Sequence, residues 1–194
     1  MKQLKLFMLL AGCKPAGRHT EQHDVFFTIG ESISDTIPGI ISFWPEANDS
    51  IHIDAWREVT AVDGYSIDIE DKKPGIMERN EKLPRLYFIN LGGYKQYEFE
   101  EFHYKMIVVA SEKGDAIKQS KQTAFYKHTG FHGAPSHVDD KYGIDVDDVF
   151  RVEDILSIEI KEKYIIKVSP TNAIESDEIH LGYFTPDKLE SLYR

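Results

Sequence analysis

The chain has 194 residues, with 23 Lys and Arg against 33 Asp and Glu, a formal net charge of −10. That acidic excess argues against nucleic acid as a partner, because phosphate binding draws its affinity from clustered cations that release counterions. No apolar run approaches the roughly 20 residues that a membrane-spanning helix needs, and the single cysteine, Cys13, rules out an internal disulfide and a cysteine-rich zinc site.

The first segment, Met1 to Cys13, has two readings. Two lysines, an apolar stretch and Leu10-Ala11-Gly12-Cys13 resemble a bacterial lipoprotein signal with Cys13 as the lipidated residue. Alternatively Lys5 to Ala11 is a first strand that turns at Gly12. The second reading is preferred, because the apolar stretch is short and no Gly/Ser tether follows Cys13. Val25 to Ile29 is a run of β-formers and reads as a strand. In Ser34 to Trp44 the spacing of Ile37, Ile40, Ile41 and Trp44 marks one helix face, stopped at Pro45. Ile51 to Val59 and Tyr65 to Ile69 read as strands, with Asp63-Gly64 as a hairpin turn.

Lys72 to Pro84, with its charges, Pro and Gly, connects to a strand over Arg85 to Leu91. Beyond it the pattern predicts a strand over Lys105 to Ala110 and a helix over Asp115 to His128. Further strands are expected near Val149 to Val152, Ser157 to Ile160, Lys163 to Val168 and Glu178 to Tyr183.

The two halves echo one another. At an offset of 80, Lys5-Leu6-Phe7-Met8-Leu9 meets Arg85-Leu86-Tyr87-Phe88-Ile89, Gly12 meets Gly92, and Glu21-Gln22-His23 meets Glu101-Phe102-His103. After a five-residue insertion the offset becomes 85, and His52-Ile53-Asp54 meets His137-Val138-Asp139. An ordered set of this kind predicts an internal duplication. Because Leu6 to Gly12 then has a mid-chain counterpart in Leu86 to Gly92, it also supports the strand reading of the N-terminus. The expectation is an α+β fold that duplicates a β-α-β-β-β unit, with mainly antiparallel sheets, one long helix per copy and an extra N-terminal strand. The first repeat is placed at 1–80 and the second, with closing strands, at 81–194, together forming one two-lobed body.

Several stretches are similar to the bacterial domain-of-unknown-function family DUF1543: Glu21 to Phe27, Ile51 to Trp56 with Asp63-Gly64-Tyr65, Leu86 to Tyr94 with Glu100 to Lys105, and Lys121 to Asp148. The resemblance covers nearly the whole chain and implies one or two copies of the domain. It implies no activity and carries over no catalytic residue, so the functional reading rests on the residues themselves.

In an extended chain, residues i and i+2 face the same way. Glu21 with His23, and His52 with Asp54, therefore each present a carboxylate and an imidazole on one side. A His-x-Asp pair with a distant His is the ligand set of a two-His, one-carboxylate site for Fe(II) or a similar divalent metal. The expected ligands are His23, His52 and Asp54 in one copy, and His103, His137 and Asp139 in the other. The competing reading has these residues as structural hydrogen bonds and ion pairs.

The stretch Phe125 to His137 gathers aromatics and histidines among glycines. Within it Phe125, Tyr126, His128, Phe131 and His132 are candidate ligand-binding residues, or else packing residues of the lobes. The acidic run from Asp139 to Asp154 lacks an EF-hand pattern and reads as a solvated face. Phosphate-loop, nucleophile-elbow and His-Glu-x-x-His motifs are missing from the sequence, which takes support from kinase, hydrolase and zinc-protease readings.

Two function classes follow. One is a non-enzymatic module that binds a small-molecule ligand or protein partner, or assembles as a homo-oligomer. The other is a metal-assisted enzyme. The strand reading of the N-terminus places the protein in the cytoplasm; the signal reading makes it an exported lipoprotein anchored through Cys13.

Overall fold

The computed structural model describes residues 3–73, 83–94, 97–122, 144–172 and 176–193. In chain order the strands are β1 (Lys5–Cys13), β2 (Gln22–Gly30), β3 (His52–Val59), β4 (Ala61–Val62), β5 (Tyr65–Asp71), β6 (Arg85–Tyr94), β7 (Glu101–Ala110), β8 (Ile144–Arg151), β9 (Tyr164–Pro170) and β10 (His180–Phe184). The helices are α1 (Ile37–Phe43), α2 (Lys113–Ser120), α3 (Val152–Ile155), α4 (Ile158–Lys163) and α5 (Pro186–Leu192). This is a mixed α+β fold whose strand pairs are antiparallel. No helix among the described residues is long and apolar enough to cross a membrane.

Internal contacts divide the chain into Met1–Pro74 with Leu156–Arg194, called unit 1 below, and Gly75–Ile155, unit 2. The segment 156–194, expected with the second repeat, thus packs with the first. β9 pairs with β5 along its length, and β10 pairs with β3. Neither pairing leaves a local trace in the sequence, since each joins segments about a hundred residues apart.

Unit 1 contains a four-stranded sheet in the order β10-β3-β1-β2 and a three-stranded sheet β4-β5-β9. β1 lies between two partners, which explains its nearly continuous apolar run. Its alternate residues Phe7, Leu9, Ala11 and Cys13 point into the core with Phe26, Ile40, Ile53, Trp56, Phe184 and Leu189. The strand runs through Gly12 to Cys13 without the turn expected at Gly12. Removing the residues before Cys13 would take away the strand to which β2 and β3 both pair. The Asp63-Gly64 hairpin forms as read, with both residues at positive φ (52° and 79°), the geometry of the tight turns that match strand twist.

Two expectations about helices are corrected. The helix signal at 34–44 resolves into a 3₁₀ turn, Ser34–Thr36, followed by the short α1 that Pro38 opens. α2 covers only Lys113–Ser120; the remainder of that expected helix, from residue 123, lies outside the described residues. Within the described residues α1 and α2 run for seven and eight residues. Ser157 to Ile160, expected as a strand, instead caps and opens α4, with the Ser157 hydroxyl accepting from the Ile160 N–H. The apolar alternation misled because Ile158 is exposed to solvent rather than facing a core.

Unit 2 holds the sheet β7-β6-β8. Adding 80 to each residue of the Lys5↔Gly30 pair of β1 and β2 gives Arg85↔Ala110, the pair that opens β6 and β7. The third strand obeys a different offset. Gly12 pairs with His52, whereas Gly92 pairs with Asp145, a shift of 93 between the partners. Both ladders also slip at the same place, between Leu10 and Ala11 in β1 and between Asn90 and Leu91 in β6. The described stretch facing β6 at this position is therefore Asp145-Val146-Asp147.

Candidate metal centre

Gly12 lies between two histidines. It pairs with His23 on β2 and with His52 on β3, so the two imidazoles leave the same side of the sheet in one row across three strands. Strands are spaced about 4.8 Å apart, which separates the two histidine backbones by roughly 10 Å. The rings can meet only because nothing fills the middle of the row. A Cβ on residue 12 would stand 2.6 Å from His52 Nε2, 2.8 Å from Asp54 Oδ2 and 3.1 Å from His23 Cδ2. Glycine here leaves the space into which these side chains converge.

The bulge supplies the first carboxylate. Partners pass from Leu10↔Ala55 to Ala11↔Ile53, leaving Asp54 as the extra residue. An extra residue re-aims side chains locally, and Asp54 joins His52 on one side: Asp54 Oδ1 is 3.5 Å from His52 Nε2, and Asp54 Oδ2 is 2.9 Å from His23 Nε2. Glu21, two residues before His23, adds the second carboxylate. Its Oε1 is 2.8 Å from His52 Nε2 and its Oε2 4.0 Å from His23 Nε2.

The electrostatics of this cluster are unusual. His52 is buried, and its Nδ1 lies 3.2 Å from the Ser50 carbonyl oxygen. A carbonyl only accepts, so Nδ1 carries the proton in that contact. Nε2 then faces the Glu21 and Asp54 carboxylates. Neither His52 Nε2 nor Asp54 Oδ2 makes a properly directed hydrogen bond, although both atoms are sealed from solvent. Buried polar atoms left without a directed partner are costly, and a cation among them offsets that cost. Tyr183 closes one face, its ring stacked on His52 at 4.2 Å between centroids. Glu21, His23 and Asp54 remain 30 to 45% exposed, so the other face opens to water.

Unit 2 assembles a related group. Gly92 pairs with His103 on β7, and Asp147 is the extra residue of the slip from Asn90↔Asp148 to Leu91↔Val146. Glu101, His103 and Asp147 each place a ligating atom within 4.8 Å of the others, and His103 Nε2 is 3.4 Å from Asp147 Oδ2.

Of the expected metal ligands, His23 and His52 come together with Glu21 in one group of mutually close ligating atoms, and Asp54 contacts both histidines. His103 joins Glu101 and Asp147. His137 and Asp139 lie outside the described residues, as do the ligand-binding candidates Phe125, Tyr126, His128, Phe131 and His132. Asp147 escaped the sequence reading because its place depends on cross-strand register and a bulge, which no local spacing encodes.

Residues 18–69 match the family model described as Domain of Unknown Function (DUF1543), so the resemblance noted in the sequence holds over that stretch. No curated protein matches the chain. Among solved structures, the chain is similar to the crystal structure of a protein Il1583 from Idiomarina loihiensis. The two share 22% identity over 93% of this chain and 97% of that one, with a TM-score of 0.60. At that identity the likeness is one of fold.

Proposed function

With residues 18–69 matching the DUF1543 family and all four convergent donors inside that stretch, we propose that unit 1 is a metal-binding module. It holds a divalent transition-metal ion through His23, His52 and Asp54, with Glu21 as the fourth donor. The observation that carries this reading is the buried, undonated pair of His52 Nε2 and Asp54 Oδ2. Donor spacing supports it. Glu21, His23 and His52 each place a ligating atom within 4.8 Å of the others, and Asp54 Oδ2 is 2.9 Å from His23 Nε2. The Ser50 carbonyl then does what an outer partner of a metal-bound histidine does, fixing the tautomer and aiming Nε2 at the ion.

Two imidazoles favour iron, zinc, nickel or copper over magnesium or calcium. The solvent-facing side leaves a coordination position for water or a small oxygen-donor ligand. An open position distinguishes catalytic from purely structural zinc centres, and it supports metal-assisted chemistry on such a ligand as the second reading.

We also infer that units 1 and 2 contain two copies of one domain. The shared register of β1–β2 and β6–β7 and the coincident slips support this.

The test is metal titration of tag-free, metal-depleted protein with Co²⁺ followed by visible absorption, and displacement by Zn²⁺. Wild type binds an ion at this site, and His52→Gln and Asp54→Asn each weaken it by about tenfold or more with an unchanged circular dichroism spectrum. Failure of the wild-type protein to take up any of these ions, or indifference to both substitutions, overturns the reading.

A further inference from the structure

The geometry points to a second divalent-cation site, in unit 2, built from Glu101, His103 and Asp147. It rests on the reading of the first site in one respect, namely that the same strand positions supply the donors. Glu101 and His103 stand at positions equivalent to Glu21 and His23 under the shift of 80 that relates the two ladders, and Asp147 stands at the slip that Asp54 occupies in unit 1.

Two further observations belong to unit 2 alone. Gly92 forms a cradle that a side chain would abolish, since a Cβ there would collide with the Asp147 carboxylate, Cγ and Oδ1 each at 2.9 Å. In addition, Tyr94 pairs directly with Glu101 across β6 and β7, the position from which an outer neighbour orients a ligating carboxylate. Two carboxylates and an imidazole brought within 4.8 Å of one another make a donor set suited to a divalent cation.

The two sites differ in chemical character. The residue opposite Gly12 is His52, whereas the residue opposite Gly92 is Asp145. Among the described residues of unit 2 no second imidazole joins the group, whose donors are one nitrogen and two carboxylates. That set shifts preference from softer ions toward a harder, oxygen-seeking ion such as Mn²⁺. One chain consequently carries two sites of unequal hardness.

The experiment is Mn²⁺ titration of the metal-depleted full chain, with free Mn²⁺ read by electron paramagnetic resonance. The double variant His23→Gln/His52→Gln is used first, so that unit 1 keeps no imidazole at its site. That variant still binds Mn²⁺, and adding His103→Gln or the near-isosteric Asp147→Asn weakens the remaining binding by about tenfold or more, with circular dichroism unchanged. Mn²⁺ binding that survives both added substitutions overturns the inference, as does a double variant that binds none. The first site is scored separately by Co²⁺ uptake in the His103→Gln single variant, so loss of one reading leaves the other measurable.

Discussion

Gly12 and His52 face each other directly across β1 and β3, and a methyl group on residue 12 would lie 2.6 Å from His52 Nε2. Gly12 is not one of the positive-φ glycines, so the glycine is required here for space and not for backbone freedom. Gly12→Ala is expected to cost about 1–3 kcal/mol through overpacking and to weaken Co²⁺ binding sharply. Urea denaturation and a metal titration of the same variant check both. An alanine protein that binds Co²⁺ as tightly as wild type would show that the row His23-Gly12-His52 is not where the ion sits.

Metal binding at the proposed site should stabilise unit 1. An ion present at a hundred times its dissociation constant adds about 2.7 kcal/mol, which for a chain of this size corresponds to a rise in melting midpoint on the order of 5–10 °C. Both tryptophans, Trp44 and Trp56, belong to unit 1, so their fluorescence follows this unit specifically. Zinc should raise the fluorescence midpoint and a chelator should reverse the shift; His52→Gln should abolish the response.

The C-terminal helix closes the core of unit 1. Leu189 is fully buried there alongside Phe184 and Trp56, and the Trp56 ring stacks on His180 at 3.9 Å. Leu189→Ala should cost about 2–5 kcal/mol, the usual range for a buried leucine replaced by alanine. The loss should appear in tryptophan-detected unfolding. If that midpoint is unmoved, the C-terminal segment does not belong to this core.

Cys13 should be unreactive in the folded protein. Burial pushes its thiol pKa up, and the nearby Glu21 and Glu46 carboxylates push it in the same direction. An unfolded chain ionises this thiol near pH 8.5, while the folded chain keeps the proton. Above that pH the unfolded state binds fewer protons than the native one, so this group lowers stability as pH rises. Thiol-labelling reagents at pH 8 should modify the protein only at the rate of opening or unfolding, and urea should accelerate labelling. Rapid stoichiometric labelling without denaturant would contradict the burial.

Much of the fold was legible because strands buried on both faces leave long apolar runs. β1 and β6 announced themselves in this way, and Asp63-Gly64 announced its turn. Half of the site in unit 1 was legible for an equally local reason. In an extended chain, Glu21 with His23 and His52 with Asp54 must share a face. The helix at 158–163 was misread because two isoleucines at alternate positions look alike in a buried strand and in a short exposed helix; only the Ser157 cap and the exposure of Ile158 tell them apart.

By itself the sequence determined the α+β class, the central strand that begins at Lys5, the echo between the two halves and the residue types from which a metal site could be made. Tertiary structure decided which of those residues meet. Pairing between strands far apart in sequence is specified by summed burial and ladder hydrogen bonds and not by neighbouring residues. The register of β8, the bulges that present Asp54 and Asp147, and the return of β9 and β10 to the first unit therefore appear only once the chain is folded.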